Sequence, residues 1–177
     1  QYAVVSASSL ATQAGIDILE KGGNAFDAAI AVSAALAVVE PYGSGLGGGG
    51  FWLLRNGETG ETLIIDSRET APASAHADMY KDSEGNVVRD LAFYSGKSVG
   101  IPGTVAAMDY INKQFGQLDL ATNLQAAIDF AKKGFIVDMR THLLLSDPDR
   151  LKHMQEIPET AAIFLNNHQA PKVGDIL

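Results

Sequence analysis

The hydrophobic and polar positions alternate between two periods along this chain, and the switches between them predict its elements. Tyr2-Ala3-Val4-Val5-Ser6 reads as a short strand. From a cap at Ser8 or Ser9, Leu10, Ala14, Ile18 and Leu19 recur at helical spacing to about Lys21, and Gly22-Gly23 then stops the helix. Asn24 caps a second helix, Ala25 to Val39, with Asp27 in its first turn where a carboxylate meets free N–H groups and the helix dipole. This block is apolar nearly all round and rich in alanine, the pattern of a helix buried among neighbours. Pro41 ends it. A glycine run follows, then two period-2 segments, Phe51 to Arg55 and Thr62 to Asp66, with Asn56-Gly57 between them, predicting an antiparallel hairpin.

Residues 71–98 are polar and rich in turn formers, with a second hairpin signal at Glu84-Gly85-Asn86. Gly100-Ile101-Pro102-Gly103 is a tight turn. Thr104 is placed to cap a helix through Phe115, and further helices are expected over Ala121 to Lys133, Asp138 to Ser146 and Pro158 to Leu165. From Pro148 onward the pattern weakens. No internal repeat, low-complexity tract or linker interrupts the chain, so residues 1–177 are expected to form a single α+β domain.

Composition narrows the function classes without naming one. The formal net charge of −8 argues against nucleic acid and anionic membrane surfaces as partners. There is no cysteine, which removes disulfides and thiolate chemistry and leaves the compartment open. The chain begins without the basic start and cleavage pattern of a secretion signal. Its longest apolar block falls short of the roughly 20 residues a membrane-spanning helix needs.

The glycine run is the most unusual stretch, since ordering glycine is costly and a cluster implies a close approach or an unusual turn. Gly43-x-Gly45-x-x-Gly48 has dinucleotide-loop spacing, but here a helix precedes and a strand follows, the reverse of the arrangement that seats a pyrophosphate. Gly96-Lys97-Ser98 resembles the end of a phosphate loop, yet the required glycine at position 91 is Leu91. Ser44 lacks the flanking glycines of a nucleophile elbow, having Tyr42 and Leu46 instead. His76, His142, His153 and His168 lack metal-ligand spacing and read as polar loop residues. Arg68 leaves two readings open. On the return strand it shares a face with Ile64 and Asp66, opposite Leu63, Ile65 and Ser67. It either forms a solvated ion pair with Asp66 or Glu69, or offers its planar fork to a substrate carboxylate.

Taken together, several blocks resemble one family. Gly22-Gly23-Asn24-Ala25-x-Asp27-Ala28-Ala29, Val38-Val39-Glu40-Pro41, Ser44-Gly45-x-Gly47-Gly48-Gly49-Gly50-Phe51 and Arg68-Glu69-x-Ala71-Pro72 are similar, in order and spacing, to the γ-glutamyltranspeptidase large subunit. Gly100-Ile101-Pro102-Gly103-Thr104-Val105-Ala106, Ala131-Lys132-Lys133-Gly134-Phe135 and Gly174-Asp175 extend the resemblance across the chain.

The resemblance implies an N-terminal nucleophile hydrolase: part of an αββα sandwich, the N-terminal half of its large subunit, with antiparallel strands packed against helices. It implies a precursor that cuts itself into a large and a small subunit, the new N-terminal threonine of the small subunit attacking the γ-glutamyl amide of glutathione and related compounds. The γ-glutamyl group then passes to water, an amino acid or a peptide. It makes Arg68 the substrate-binding residue for the donor's α-carboxylate; it gives no comparable direct role to Glu69, which reads as support for the arginine's position. It places the nucleophile beyond Leu177, so no catalytic residue is expected in this chain, and it calls for no cofactor and no metal. The implied partner is the small subunit from the same precursor, and the implied location is periplasmic or extracellular. A part of this kind is expected to be inactive alone and to expose apolar surface. Acylases for other amides, such as glutaryl side chains of β-lactams, depolymerases of γ-linked polyglutamate, and a non-catalytic glutamate-binding module remain alternatives.

Overall fold

The computed structural model describes residues 2–177, which divide into two compact units, one comprising the chain up to Gly45 together with Asp109–Leu177, the other Leu46–Met108. Helices and one two-stranded antiparallel sheet make it an α+β chain, as the patterning predicts.

In the larger unit, α1 (Ser9–Glu20) ends with Gly22 at φ +91°, its N–H on Leu19 O and the Gly23 N–H on Ile18 O at 3.0 Å. Both bonds satisfy last-turn carbonyls, as the Gly22-Gly23 signal predicts. α2 (Ala25–Val39) starts from a reciprocal cap: Asn24 Oδ1 accepts from the N–H groups of Phe26 and Asp27, and Asp27 Oδ2 accepts from the Asn24 N–H at 3.0 Å. Its alanine-rich faces let it pack against both α1 and α5 (Leu120–Lys133). Gly15 permits the approach of α1, since a Cβ there would lie 2.7 Å from Val32 Cγ2. Ala11, Ala14, Ala35, Val39 and Phe135 form one buried cluster, and Ile18, Ala28 and Ala31 another.

α4 (Thr104–Phe115) begins in the smaller unit and ends in the larger. α6 (Met139–Leu145), α7 (Pro148–Glu156) and α8 (Pro158–Phe164) complete the larger unit, with Leu145, Met154, Ala161 and Leu165 buried among them. The backbone after α5 pairs with the end of the chain, Phe135 and Leu177 exchanging both hydrogen bonds at 3.0 Å.

Three expectations fail here. Residues 2–6 form no strand, because among the described residues no neighbour offers them a ladder, and Val5 is 90% exposed. α7 lies where the apolar pattern weakens. Its start is fixed by Asp147, which accepts from the Arg150 N–H at 3.0 Å, and by Pro148 in the first turn, rather than by a wide apolar face. His142 and His153 sit on α6 and α7, not on loops.

In the smaller unit, β1 (Phe51–Arg55) pairs with β2 (Thr62–Asp66) in the register Phe51 to Asp66 through Arg55 to Thr62. Trp52, Leu54, Leu63 and Ile65 face inward, whereas Phe51, Leu53 and Ile64 are each about two-thirds or more exposed on the other face. The polar stretch after β2 carries a short helix, α3 (Arg89–Phe93), and a 3-10 turn at Gly96–Ser98. The second hairpin signal amounts to one bridge, Lys81 with Val87. Among the described residues no helix is long and apolar enough to cross a membrane.

Candidate functional site

Arg68 lies two residues past β2, and its backbone is tied down from several directions within the smaller unit. Gly50 and Ser67 extend the hairpin ladder by one pair, Ser67 N donating to Gly50 O at 2.9 Å, and the Ser67 hydroxyl donates to the same carbonyl. The Arg68 N–H donates to Asp66 Oδ1 at 3.0 Å. Thr70 and Ile101 exchange backbone bonds at 3.2 and 2.9 Å. Gly48 O in turn accepts from the N–H groups of Gly103 and Thr104, both at 3.1 Å, and from the Thr104 hydroxyl at 2.9 Å. The Thr104 side chain therefore reaches across to the glycine run, where the sequence reading had it capping its own helix.

The glycines are required by proximity at two positions. A Cβ on Gly49 or on Gly103 would overlap the Ser67 carbonyl oxygen, and the one on Gly49 would also lie 2.8 Å from the Glu69 nitrogen. Neither has the positive φ seen at Gly22 or Gly60. Gly48 and Gly49 on one segment and Gly100 and Gly103 on the other thus let two backbone segments press against Ser67 and Glu69 on either side of Arg68.

The Arg68 side chain is 59% exposed, and its Nε lies 3.4 Å from Glu69 Oε2. Asp66, the other candidate partner, is occupied by the Arg68 backbone instead. Glu69 Oε2 is enclosed and accepts no hydrogen bond, while the side chain as a whole keeps 31% exposure, so the neighbouring guanidinium and solvent share the compensation of its charge. This contact uses Nε and leaves the two terminal nitrogens without a partner among the described residues. They form the end of the fork that suits a bidentate carboxylate.

Arg68 and Glu69 line a cavity of about 650 Å³ whose other walls include Gly47, Thr70, Pro72, Met79, Tyr80, Lys97 and Gly100. Its far wall comes from residues 71–98, which the sequence reading treated as turns alone. Tyr80 Oη donates to Lys97 O at 3.2 Å, and Lys97 Nζ reaches Met79 O at 3.4 Å. The Gly96-Lys97-Ser98 triplet was the available signal for this wall, and comparing it with a phosphate loop pointed away from its position. Of the residues singled out by sequence, the structure brings Arg68 and Glu69 together. Among the described residues no group of three or more histidines and acids is placed to hold a metal ion.

The Asn24–Asp27 block has a different character. Asp27 is fully buried in the larger unit, its Oδ2 accepting from the N–H groups of Asn24 and Gln117 and its Oδ1 from Asn123 Nδ2 at 2.9 Å. Asn24 Nδ2 donates to Phe115 O at 2.6 Å. These residues join the start of α2 to the connection between α4 and α5, and the Asp27 carboxylate has no exposed surface.

The γ-glutamyltranspeptidase family model matches residues 11–177. The glutathione hydrolase proenzyme of Bacillus subtilis (strain 168) is 40% identical over 177 residues, a match covering 98% of this chain and 29% of that protein. The glutathione hydrolase proenzyme of Escherichia coli (strain K12) is 41% identical over 180 residues, covering 100% of this chain and 30% of that protein. The crystal structure of Helicobacter pylori γ-glutamyltranspeptidase superposes with a TM-score of 0.92 at 34% identity, over 99% of this chain and 50% of that one. The chain therefore spans under a third of the length of those two proenzymes.

Proposed function

Since the chain belongs to the γ-glutamyltranspeptidase family, we propose that it is the N-terminal part of the large subunit of such an enzyme and supplies the arginine that holds the donor. Arg68 binds the α-carboxylate of a γ-glutamyl donor such as glutathione through its two terminal nitrogens. Glu69 holds the guanidinium from behind through Nε. The observation that carries this reading is the combination of a half-exposed guanidinium, a single ion pair confined to Nε, and an open cavity in front of it.

The arrangement does the work of orientation. A carboxylate gripped at two points has its rotation fixed, so the γ-amide carbonyl extends in one direction toward the attacking group. That group is the N-terminal threonine of the small subunit, released from the same precursor, whose α-amine acts as general base. The γ-glutamyl group passes to it and then to water, an amino acid or a peptide. The relatives named as proenzymes support a precursor cut into subunits. The exposed apolar face of the hairpin, Phe51, Leu53 and Ile64, is the surface that the remaining chain covers. The enzyme works in the periplasm or outside the cell.

The test is hydrolysis of a γ-glutamyl anilide by the full gene product, wild type beside Arg68→Ala. A loss of kcat/KM worth about 2–4 kcal/mol is expected for removing a charged contact to the donor. Wild-type turnover that is indifferent to the substitution would overturn the assignment of Arg68. A self-cleaved wild type that ignores γ-glutamyl donors would favour an acylase for other amides.

A further inference from the structure

We propose that Lys97 is a second anion-reading residue of the same cavity, and that it selects γ-glutamyl donors whose leaving half carries a free carboxylate. This rests on Arg68 being the donor anchor.

Three observations carry it. The first is charge. The cavity walls hold two cations, Arg68 and Lys97, and one anion, Glu69, which is already engaged by Arg68 Nε. The α-carboxylate of a γ-glutamyl group satisfies the free end of Arg68 and leaves Lys97 unneutralised. The second is partnership. Among the described residues three of the eight lysines, Lys81, Lys113 and Lys133, pair with an aspartate, at 2.7, 2.7 and 3.1 Å; Lys97 is one of the five that do not, and of those five it alone lines this cavity. Lys97 pairs with no carboxylate among the described residues; its ammonium makes one long contact, 3.4 Å, to the Met79 carbonyl. That is the weak end of hydrogen bonding and leaves two N–H donors for a ligand.

The third is that the base of this side chain is fixed while its tip is not. The Lys97 N–H donates to Ser95 Oγ at 3.2 Å, and its carbonyl accepts from Tyr80 Oη at 3.2 Å. Ser98 Oγ closes the same turn on Ser95 O at 2.6 Å. The ammonium therefore starts from a set point on the cavity wall. At about 650 Å³ the cavity also has room beyond a single γ-glutamyl group, since pockets of roughly 300–1,000 Å³ receive ligands of drug size. The substrate class that fits is a γ-glutamyl peptide or γ-linked oligomer with a free carboxylate on its second residue.

The experiment uses the full gene product and a pair of donors, γ-glutamyl-4-nitroanilide and its 3-carboxy derivative. The quantity read is the ratio of kcat/KM for the carboxylated donor to that for the neutral one. Lys97→Met should lower this ratio about tenfold, the size of one charge-assisted contact, with the change carried by KM. Lys97→Arg should restore most of it, and added salt should shrink the wild-type ratio. A ratio unchanged in Lys97→Met overturns the proposal, including the case where both donors suffer equally.

If wild type cleaves neither anilide, the catalytic reading has failed and binding still decides. Calorimetric titration with γ-glutamylglycine and with its C-terminal amide should show tighter binding of the free acid, a preference absent in Lys97→Met. Equal affinities of the wild type for the two would overturn it.

Discussion

Asp27 and Arg68 belong to blocks that are equally distinctive in the sequence, yet the chain treats the two charges in opposite ways. Asp27 is fully buried and accepts three hydrogen bonds from three separate stretches of its unit. Arg68 is more than half exposed and touches one carboxylate, at 3.4 Å. A buried charge with both oxygens engaged by fixed donors has little left to offer a ligand, and its removal uncovers those donors. An exposed charge with only one of its five N–H donors engaged contributes little to folding and is available for binding. The contrast separates scaffold from site within a set of motifs that look alike on the page.

Substituting Asp27 by alanine should therefore break the larger unit. With the Asn24 and Gln117 N–H groups and the Asn123 amide left unpaired, a loss of roughly 3–5 kcal/mol in unfolding free energy is expected, read from urea denaturation of the purified protein. A loss below about 1 kcal/mol would show that water replaces the carboxylate and that the node is not structural.

Gly49→Ala tests the backbone support of Arg68 and should have the next largest effect. The added methyl meets the Ser67 carbonyl and the Glu69 nitrogen, both backbone atoms that cannot rotate away. A destabilisation of about 1–3 kcal/mol is expected, as for overpacking, together with a shift of the Arg68 anchor. The added methyl distinguishes this position from Gly47, where a Cβ meets nothing within 4 Å. Equal melting temperatures for Gly49→Ala and Gly47→Ala would remove the argument that close approach dictates the glycine run.

Arg68→Ala completes the series from the other side. Its thermal midpoint should lie close to wild type, corresponding to a change within about 0.5 kcal/mol, since an exposed ion pair contributes little. The same variant is the one expected to lose activity. A large fall in melting temperature would mean that solvent does not suffice for Glu69, whose Oε2 is enclosed, and that it needs the guanidinium to fold.

What could be read from sequence follows the same division. Local chemistry was legible: Gly22-Gly23 at the end of α1, the Asn24 and Asp27 cap, and the hairpin with its alternating faces all follow from residues a few positions apart. The strand expected at residues 2–6 fails because a strand is defined by a partner, which a local pattern does not supply. α7 escapes because its start rests on Asp147 and Pro148 while its apolar face is narrow. Arg68 was legible as a candidate through its strand face and the family resemblance. The cavity wall carrying Tyr80 and Lys97 was not, because it is assembled by pairings such as Thr70 with Ile101 between segments about 30 residues apart.

The smallest effect concerns carboxylates that lie between the two extremes, on the helix caps. Asp138 accepts from the Thr141 N–H at 2.7 Å, and that bond holds its carboxyl below the usual aspartate range against the opposing effect of partial burial. With its pKa depressed in the folded protein, the group contributes stability that is fully present above about pH 4, the unfolded value, and is lost as pH falls through the folded one. Asparagine at this position keeps an acceptor for the Thr141 N–H but does not titrate. Asp138→Asn should therefore lack this small contribution near neutrality and lose stability less steeply below about pH 4, so that the two converge in acid, in urea midpoints measured across that range. Parallel pH profiles would mean that the charge adds nothing to the hydrogen bond at the cap. The strength of the buried Asp27 node would then have to be assigned to its geometry and number of donors rather than to its charge.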